Sequence, residues 1–281
     1  MDRDVSNRDV SSGPRLAGDD RMIQLKSPRE IDIMVHGGRI LGDALKLLAG
    51  STKPGMTTAD IDAIADEFIR SHDGAVPSFK GLYGFPGSVC LSVNEEIVHG
   101  IPSPKRVLRE GDILSIDVGV KYDNYFTDAA VTVAVGEIGP ESKRLLEVTR
   151  QALDAGIAAA TAGNHVGDIG AAISAVVARS PYSLARDLVG HGVGVSPHEE
   201  PQVPNEGKPK RGTKLVAGLT IAIEPMVNVG APTTRTLPDK WTVVTSDAKR
   251  SAHFEHTIAV TDEGPLVLTL ATGEKWGALE R

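Results

Sequence analysis

The sequence is poor in cysteine: Cys90 is the single one among 281 residues. One cysteine excludes an internal disulfide framework and fits a reducing compartment. The sequence also lacks any apolar run that approaches the ~18 residues of a membrane-spanning helix. Residues 1–20 have no apolar core among their charges, so we do not expect a secretory signal. By elimination, these absences predict a cytoplasmic protein that has no membrane partner.

The sequence also has fewer basic than acidic side chains. The chain has 30 Lys and Arg against 37 Asp and Glu, which gives a formal net charge of −7. This balance provides no overall basic surface for nucleic acid, so DNA is not an expected partner. The content of 41% hydrophobic and 24% charged residues is ordinary for a globular protein, and 281 residues suit one large domain or two small ones.

The pattern of polar and apolar residues divides the chain into an extension and a repeated order of elements. Residues 1–26 are polar, mixed in charge and without periodicity, which predicts a mobile N-terminal extension. Residues 27–281 begin with SPRE, a helix-capping pattern, and run through two helices, a set of strands, two more helices and more strands. No linker rich in Pro, Gly or Ser separates the halves. We therefore predict one α+β domain with a shared antiparallel sheet.

The strongest strand pattern, residues 114–135 (LSIDVGVKYDNYFTDAAVTVAV), predicts a β-hairpin with an aspartate on each arm. If the loop is KYDN, Asp117 lies opposite Asp128; if the turn is only residues 123–124, Asp128 lies opposite Gly119. Either register puts both carboxylates on one face, because side chains alternate along a strand with period two. Like charges that face each other in a sheet are unfavourable, so this hairpin needs a partner of opposite charge.

Other ionisable side chains interrupt apolar strand patterns in the second half. Glu224 ends LTIAIE, Glu255 and His256 begin EHTIAV, and His191 stands among glycines in GHGVG. The ordinary interpretation of any single one is a salt bridge or a strand end that reaches solvent. Lys and Arg are scarce in these strands, however, and a buried carboxylate needs a partner. A divalent metal ion is the natural partner for the whole set.

The candidate ligands indicate the class of metal. They are four carboxylates and one imidazole: Asp117, Asp128, Glu224, Glu255 and His191. No thiolate is among them, so the pattern is not that of a structural zinc site. Carboxylate-rich sites suit Mn, Fe(II), Co or Mg and also accept Zn, and the pattern does not choose among these metals. Four negative charges balance two divalent ions, which is the kind of centre that aminopeptidases use.

Six segments, in their order and spacing, resemble those of type I methionine aminopeptidases, which are metallopeptidases of the pita-bread fold. The segments are SVNEEIVHGIP, GDILSIDVGV, TDAAVTV, GHGVGVSPHEEPQVPN, IAIEPMV and SAHFEHTIAVT. The resemblance implies two pseudo-symmetric halves of helices and antiparallel strands that share a curved sheet. It implies an enzyme that removes the N-terminal methionine from nascent proteins whose second residue is small. The step of 31 positions from Glu224 to Glu255, and the lack of a Cys-rich N-terminal module, point to the bacterial type.

The same resemblance implies roles for individual residues. A pair of divalent ions (Co, Mn, Fe(II) or Zn) would be held by Asp117, Asp128, His191, Glu224 and Glu255. The catalytic residues would be His99, His198 and Glu224, with both histidines contacting the substrate and Glu224 as general base. The methionine pocket would be lined by Phe79, Leu82, Phe85, Cys90, Pro197 and Trp241. Three positions depart from the pattern common in the family: Leu82, Pro197 and His253.

Two other functions are compatible with the residue pattern. A related pita-bread enzyme could cleave beside proline, although such relatives usually carry a large N-terminal domain and further histidines. A non-catalytic binding protein on the same fold is the alternative from another class, although all five ligand positions are filled here. The basic stretch 207–214 (GKPKRGTK) is interpreted as a solvated loop or as a transient contact with ribosomal RNA. The protein is expected to be a monomer.

Overall fold

The structure is a computed structural model that describes residues 15–16 and 23–276, and this part of the chain contains four α-helices. They are α1 (Pro28–Ser51), α2 (Thr58–Arg70), α3 (Pro140–Ala159) and α4 (Val166–Val177). A short 3-10 turn spans Leu82–Gly84. Among the described helices, none combines the length and the apolar character needed to cross a bilayer.

The first two helices begin where the sequence places their caps. The Ser27 hydroxyl accepts a hydrogen bond from the Glu30 amide (3.4 Å), and the Glu30 carboxylate accepts one from the Ser27 amide (2.6 Å). Thr57 and Asp60 exchange the same pair of bonds at the start of α2. Each capping box satisfies amide groups that have no partner within the helix. The predicted start of α1 is therefore confirmed.

The strands of the described residues pair antiparallel. In chain order they are β1 (Arg15–Leu16), β2 (Ile23–Gln24), β3 (Ala75–Pro77), β4 (Cys90–Val93), β5 (Glu96–Val98), β6 (Ile113–Tyr122), β7 (Tyr125–Ala134), β8 (Ser183–Leu184), β9 (Gly190–Gly192), β10 (Glu199–Val203), β11 (Thr220–Ile223), β12 (Met226–Asn228), β13 (Thr234–Thr236), β14 (Val243–Thr245), β15 (Ser251–His253), β16 (Glu255–Thr261) and β17 (Gly264–Val267). The largest sheet has the order β10-β9-β11-β16-β7-β6-β3, with β17 beside β16 and β4 beside β6. Helices segregated from an antiparallel sheet confirm the predicted α+β class.

Each pair of helices covers one half of the large sheet and has its own apolar core. In the first half α1 packs on β6 and β7, and the core includes Leu41 and Ile116. In the second half α3 packs on α4, and their core includes Ile173 and Ile258. Burial of such side chains stabilises a fold by about 25 cal/mol per Å² of apolar surface. The halves meet where β7 pairs with β16, so the predicted arrangement of two halves that share one sheet is confirmed.

The hairpin β6–β7 has the shorter of the two predicted turns. Tyr122 pairs with Tyr125, and Asp128 lies opposite Gly119. The turn residues Asp123 and Asn124 have φ values of 43° and 68°. Both residue types tolerate the left-handed region, and a two-residue turn of this hand matches the twist of the strands. The four-residue loop is therefore wrong, and both aspartates lie on one face of the hairpin in the observed register.

Part of the predicted N-terminal extension belongs to the packed structure, which corrects the boundary predicted at residue 27. Residues 15–16 and 23–24 pair as β1 and β2. Ile23 is 4% exposed and lies in the core of the second half, and Lys26 is 5% exposed. A two-residue strand and one buried lysine leave no periodic pattern in the sequence, which is why the prediction missed them. The remainder of residues 1–26 lies outside the described residues, so its mobility stays a prediction.

Candidate active site

Five neighbouring strands of the large sheet each bring one predicted metal ligand to the same place. In sheet order, β9 carries His191, β11 is followed by Glu224, β16 begins with Glu255, β7 carries Asp128 and β6 carries Asp117. All five side chains line one cavity of about 590 Å³. The structure thus brings together residues that are widely separated in the sequence, and we call them the five-residue cluster.

Short distances join the members of the five-residue cluster. Atoms that could ligate a metal in Asp128, His191 and Glu255 lie within 4.8 Å of one another. Nε2 of His191 is 3.6 Å from Oε1 of Glu224. The carboxyl group of Asp128 lies close enough to that of Asp117 to influence its pKa. Groups so close together are able to share one or two cations, because bridging carboxylates must reach both ions of a two-metal centre.

The five-residue cluster is buried or nearly buried, and the described residues place no lysine or arginine beside it. Asp117, Asp128 and Glu255 are 8%, 6% and 2% exposed. No lysine or arginine lines the cavity in the described part of the chain. Burial raises the pKa of Asp117 to about 7. Burial, and then the charge of neighbouring carboxylates, raises the pKa of Asp128, Glu224 and Glu255 well above their ordinary values.

Several oxygens of the five-residue cluster have no hydrogen-bond donor among the described residues. They are Oδ1 of Asp117, Oδ1 of Asp128 and Oε1 of Glu255. A buried anionic oxygen without a partner is costly, so native structures seldom retain one unless an ion or water satisfies it. An oxygen-rich donor set with a single imidazole suits hard or borderline divalent metals. The residues present therefore fit a pair of divalent ions.

His191 is oriented so that one ring nitrogen is available to a metal. Its Nδ1 lies 2.9 Å from the carbonyl oxygen of Gly192. A carbonyl only accepts, so Nδ1 carries the hydrogen and Nε2 presents its lone pair toward Glu224. Burial, and then the nearby His198, lowers the pKa of His191 to about 4. A neutral imidazole whose second nitrogen is held by a backbone carbonyl is the usual state of a metal-binding histidine.

His253 is a sixth member of this neighbourhood, and sequence reasoning noted it only as a departure from the family pattern. Its Nε2 lies 3.6 Å from Oε2 of Glu224 and 3.6 Å from Oε2 of Glu255. The side chain is buried, and neither ring nitrogen has a hydrogen-bond partner among the described residues. Burial lowers the pKa of His253 to about 3, so the ring is neutral. Its place two positions before Glu255, at the end of β15, was the signal in the sequence.

One end of the cavity is apolar. Phe79, Phe85 and Cys90 are buried together, with Leu82 and Trp241 packed against them. The rings of Phe85 and Trp241 meet edge to face, with centroids 5.2 Å apart. These five predicted pocket residues line the cavity.

Pro197 does not line the cavity, although its neighbour His198 does. Sequence reasoning missed other lining residues, among them Tyr83, Val98, Leu188 and Met226. These four come from four separate stretches of the chain. Tyr83 has a φ of 50° and is 75% exposed, so it stands at the mouth of the cavity.

His99 and His198 are far apart in the sequence, yet both line the cavity and both are exposed. His99 has a φ of 60°. This strained backbone turns the chain between β5 and Gly100, where a Cβ would lie 2.2 Å from the Leu91 carbonyl oxygen. The ring of His198 lies 4.5 Å from the ring of His191. Both histidines can therefore reach a ligand bound at the five-residue cluster.

The glycines around His191 permit close backbone contacts, as predicted. A Cβ on Gly190 would lie 2.3 Å from the Ala222 carbonyl oxygen, and a Cβ on Gly192 would lie 2.3 Å from the Glu200 carbonyl oxygen. Real Cβ atoms do not approach backbone oxygens so closely. The GHG stretch forms β9 between β10 and β11, where larger residues would push the neighbouring strands away.

The sequence matches one known family over most of its length. The profile of metallopeptidase family M24 matches residues 32–262. Methionine aminopeptidase of Clostridium acetobutylicum is 49% identical over 249 residues, which cover 89% of this chain and 99% of the relative. Methionine aminopeptidase 1 of Bacillus subtilis is 50% identical over 248 residues, which cover 88% and 99%.

Solved structures show the same similarity in three dimensions. Methionine aminopeptidase of Thermotoga maritima superimposes with a TM-score of 0.87 at 42% identity, covering 89% of this chain and all of that one (100%). The prolidase of Pyrococcus horikoshii superimposes with a TM-score of 0.71 at 24% identity, and the match covers 88% of this chain but 63% of the prolidase. At that identity the prolidase shares the fold alone.

Proposed function

The chain belongs to metallopeptidase family M24, within the bacterial type I methionine aminopeptidases, and we propose that the five-residue cluster carries its activity. The enzyme is an aminopeptidase, a hydrolase that removes the N-terminal methionine from proteins. One observation supports the proposal above others. Four carboxylates and an imidazole converge from five neighbouring strands in a cavity to which the described chain contributes no lysine or arginine.

The proposed ligands of two divalent ions are Asp117, Asp128, His191, Glu224 and Glu255. Co, Mn, Fe(II) and Zn are all compatible with this donor set, and availability in the cell selects among such metals more than affinity does. When bound, two such ions polarise the scissile carbonyl and lower the pKa of the attacking water.

Glu224 is the proposed general base. One of its carboxylate oxygens lies near His191 and the other near His253, each at 3.6 Å. Burial raises the pKa of Glu224 well above its ordinary value. A carboxylate held beside the attacking water can accept its proton and pass it on to the departing amine.

His99 and His198 are the proposed hydrogen-bonding partners of the substrate. Both line the cavity, and the His198 ring lies against the His191 ring. Donors fixed beside the scissile bond stabilise the negative charge that develops on its carbonyl oxygen. Their exposed rings leave room for a peptide to enter from solvent.

The apolar end of the cavity is the proposed methionine pocket. Phe79, Phe85 and Cys90 form its buried floor. An unbranched thioether fills irregular apolar space and makes favourable contacts with aromatic rings. A charged side chain would lose its hydration there without gaining a partner. A small second residue in the substrate is the expectation for this family.

The proposed partners are the N-termini of nascent proteins in the cytoplasm. Lys208, Lys210, Arg211 and Lys214 are exposed in the basic stretch 207–214, next to the start of α4. Exposed cations clustered in one loop suit a transient electrostatic contact with ribosomal RNA. We further propose a monomer that binds neither DNA nor membranes.

A peptide assay tests the proposed function. The protein is stripped of metal, reloaded with one metal at a time at low defined concentration, and given Met-Ala-Ser, Met-Leu-Ser and an Ala-Pro dipeptide. We expect release of methionine from Met-Ala-Ser, less from Met-Leu-Ser, and no cleavage before proline. Preference for the proline peptide would support the proline-directed alternative. Metal binding without cleavage of any peptide would support a binding protein on the same fold.

A further inference from the structure

Lys26 is a buried lysine just before α1, in a segment whose sequence predicts no packed structure. Its side chain is 2% exposed and forms an ion pair with the Glu199 carboxylate, which is 9% exposed. Its Nζ also donates a hydrogen bond to the Gln24 carbonyl oxygen at 3.1 Å. Burial of a charge is costly unless it is paired and hydrogen-bonded, so this contact is specific rather than incidental.

Glu199 uses its two oxygens to close the turn that carries His198. Oε2 pairs with Lys26, and Oε1 accepts a hydrogen bond from the Ser196 amide at 2.9 Å. Glu199 also starts β10, where it lies opposite Gly192 of β9. The carboxylate therefore links Lys26 to the backbone of the turn between the two strands. His198 is the residue next to Glu199 and lies within this turn.

The lysine crosses the same turn on its way to Glu199. A Cβ on Gly194 would lie 2.1 Å from Cε of Lys26, so only glycine leaves space for the lysine stem. On its other side the turn is held by the hairpin β6–β7, since the Phe126 amide donates to the Gly194 carbonyl oxygen at 2.7 Å. The turn is thus held on one side by Lys26 and on the other by the hairpin β6–β7, which carries Asp117 and Asp128.

We propose that Lys26 is a positioning residue for catalysis: through Glu199 it fixes the turn that holds His198 over the five-residue cluster. The inference rests on the proposed function, in which His198 contacts the substrate. A substitution far from the reacting atoms can lower the rate by up to about 10²-fold if it displaces a substrate-contacting group by about 1 Å. The described residues 23–26, which end with Lys26, are accordingly part of the structure that supports the active site.

The central variant is the double substitution Lys26→Met with Glu199→Gln. It removes both charges together, so neither is left buried and unpaired, and the glutamine oxygen still accepts from Ser196. We expect a melting temperature and metal content close to wild type, with kcat for Met-Ala-Ser lowered about tenfold and KM changed less. Lys46→Met is the matched control, because the Lys46–Glu274 pair is exposed and lies away from the cavity. Wild-type kcat in the double variant would overturn the proposal.

A second comparison separates positioning from a general loss of structure. In a His198→Ala background the double substitution is expected to change kcat less than twofold, because its effect passes through His198. An equal loss with and without His198 would contradict the proposal. An NMR measurement gives a readout that needs no activity. The His198 ring signal is expected to shift or broaden in the double variant, while the His256 signal stays unchanged as a control. An unchanged His198 signal would refute the inference, whether or not the proposed function holds.

Discussion

Glu199 and Glu255 line the same cavity, but among the described residues only Glu199 is paired with a lysine or arginine. Glu199 has Lys26 within the fold, and its second oxygen accepts a backbone amide. Glu255 faces three further carboxylates of the five-residue cluster and a neutral His253. Both sites are buried, so the difference does not come from solvent. The fold provides its own cation for Glu199, whereas the proposed function leaves the charge of the cluster to ions that bind from solution.

Removal of one carboxylate from the cluster should have the largest effect. Asp128→Asn keeps the shape of the side chain but weakens its binding to a cation. We expect turnover of Met-Ala-Ser to fall by at least roughly 10²–10³-fold, the loss typical of removing one electrostatic group from a catalytic site. Metal content, measured by elemental analysis after dialysis, should fall with it. Asp262→Asn, in the exposed turn after β16, is the control. Normal turnover and metal content in Asp128→Asn would refute the ligand assignment.

Removal of the metal should make the stability of the protein depend on pH in a defined window. An unfolded aspartate loses its proton near pH 3.8, whereas burial raises the pKa of Asp117 to about 7 and raises that of Asp128 well above its ordinary value. The folded metal-free protein therefore retains protons that the unfolded chain has lost, and its free energy of unfolding falls as the pH rises. Each retained proton gives a slope of about 1.4 kcal/mol per pH unit.

The window for this measurement is roughly pH 6.5 to 8. The buried histidines, such as His191 with its pKa lowered to about 4, make the free energy of unfolding rise with pH, but only below their ordinary pKa of 6.5. Urea unfolding of chelator-treated protein is compared with unfolding in saturating Mn(II). We expect the metal-free protein to lose stability across the window and the loaded protein to lose less. Identical slopes in the two samples would show that ions do not neutralise the cluster.

His253 allows a smaller and finer test of the same contrast. A leucine at this position keeps the volume but offers no nitrogen to Glu224 or Glu255. We expect His253→Leu to weaken metal binding by about 10–100-fold, the usual effect of losing a group that orients metal ligands. His253→Gln restores an amide donor and should recover most of that affinity. Calorimetric titration with Co(II) measures both variants. Wild-type affinity in His253→Leu would mean that the imidazole does not support the site.

Local rules predicted the parts of the fold that depend on neighbouring residues. The capping box at Ser27 is confirmed because a cap needs only residues three positions apart. The hairpin register was narrowed to two alternatives, and the turn residues Asp123 and Asn124 decided between them. The strands β8 and β12, of two and three residues, were missed because so short a segment has no detectable period. Their partners are far away in the chain and stabilise them only in the folded state.

The sequence by itself determined that Asp117 and Asp128 share a face, that the helices precede antiparallel strands, and that the ionisable residues in apolar strands form a set in need of cations. Tertiary structure alone decided that β9, β11, β16, β7 and β6 are neighbours in this order, so that the five predicted ligand positions meet. It also decided that Lys26 reaches Glu199 and that His253 faces two glutamates. The physical reason is range: alternation and capping act over two to four residues, whereas burial and pairing of charges depend on which distant segments pack together.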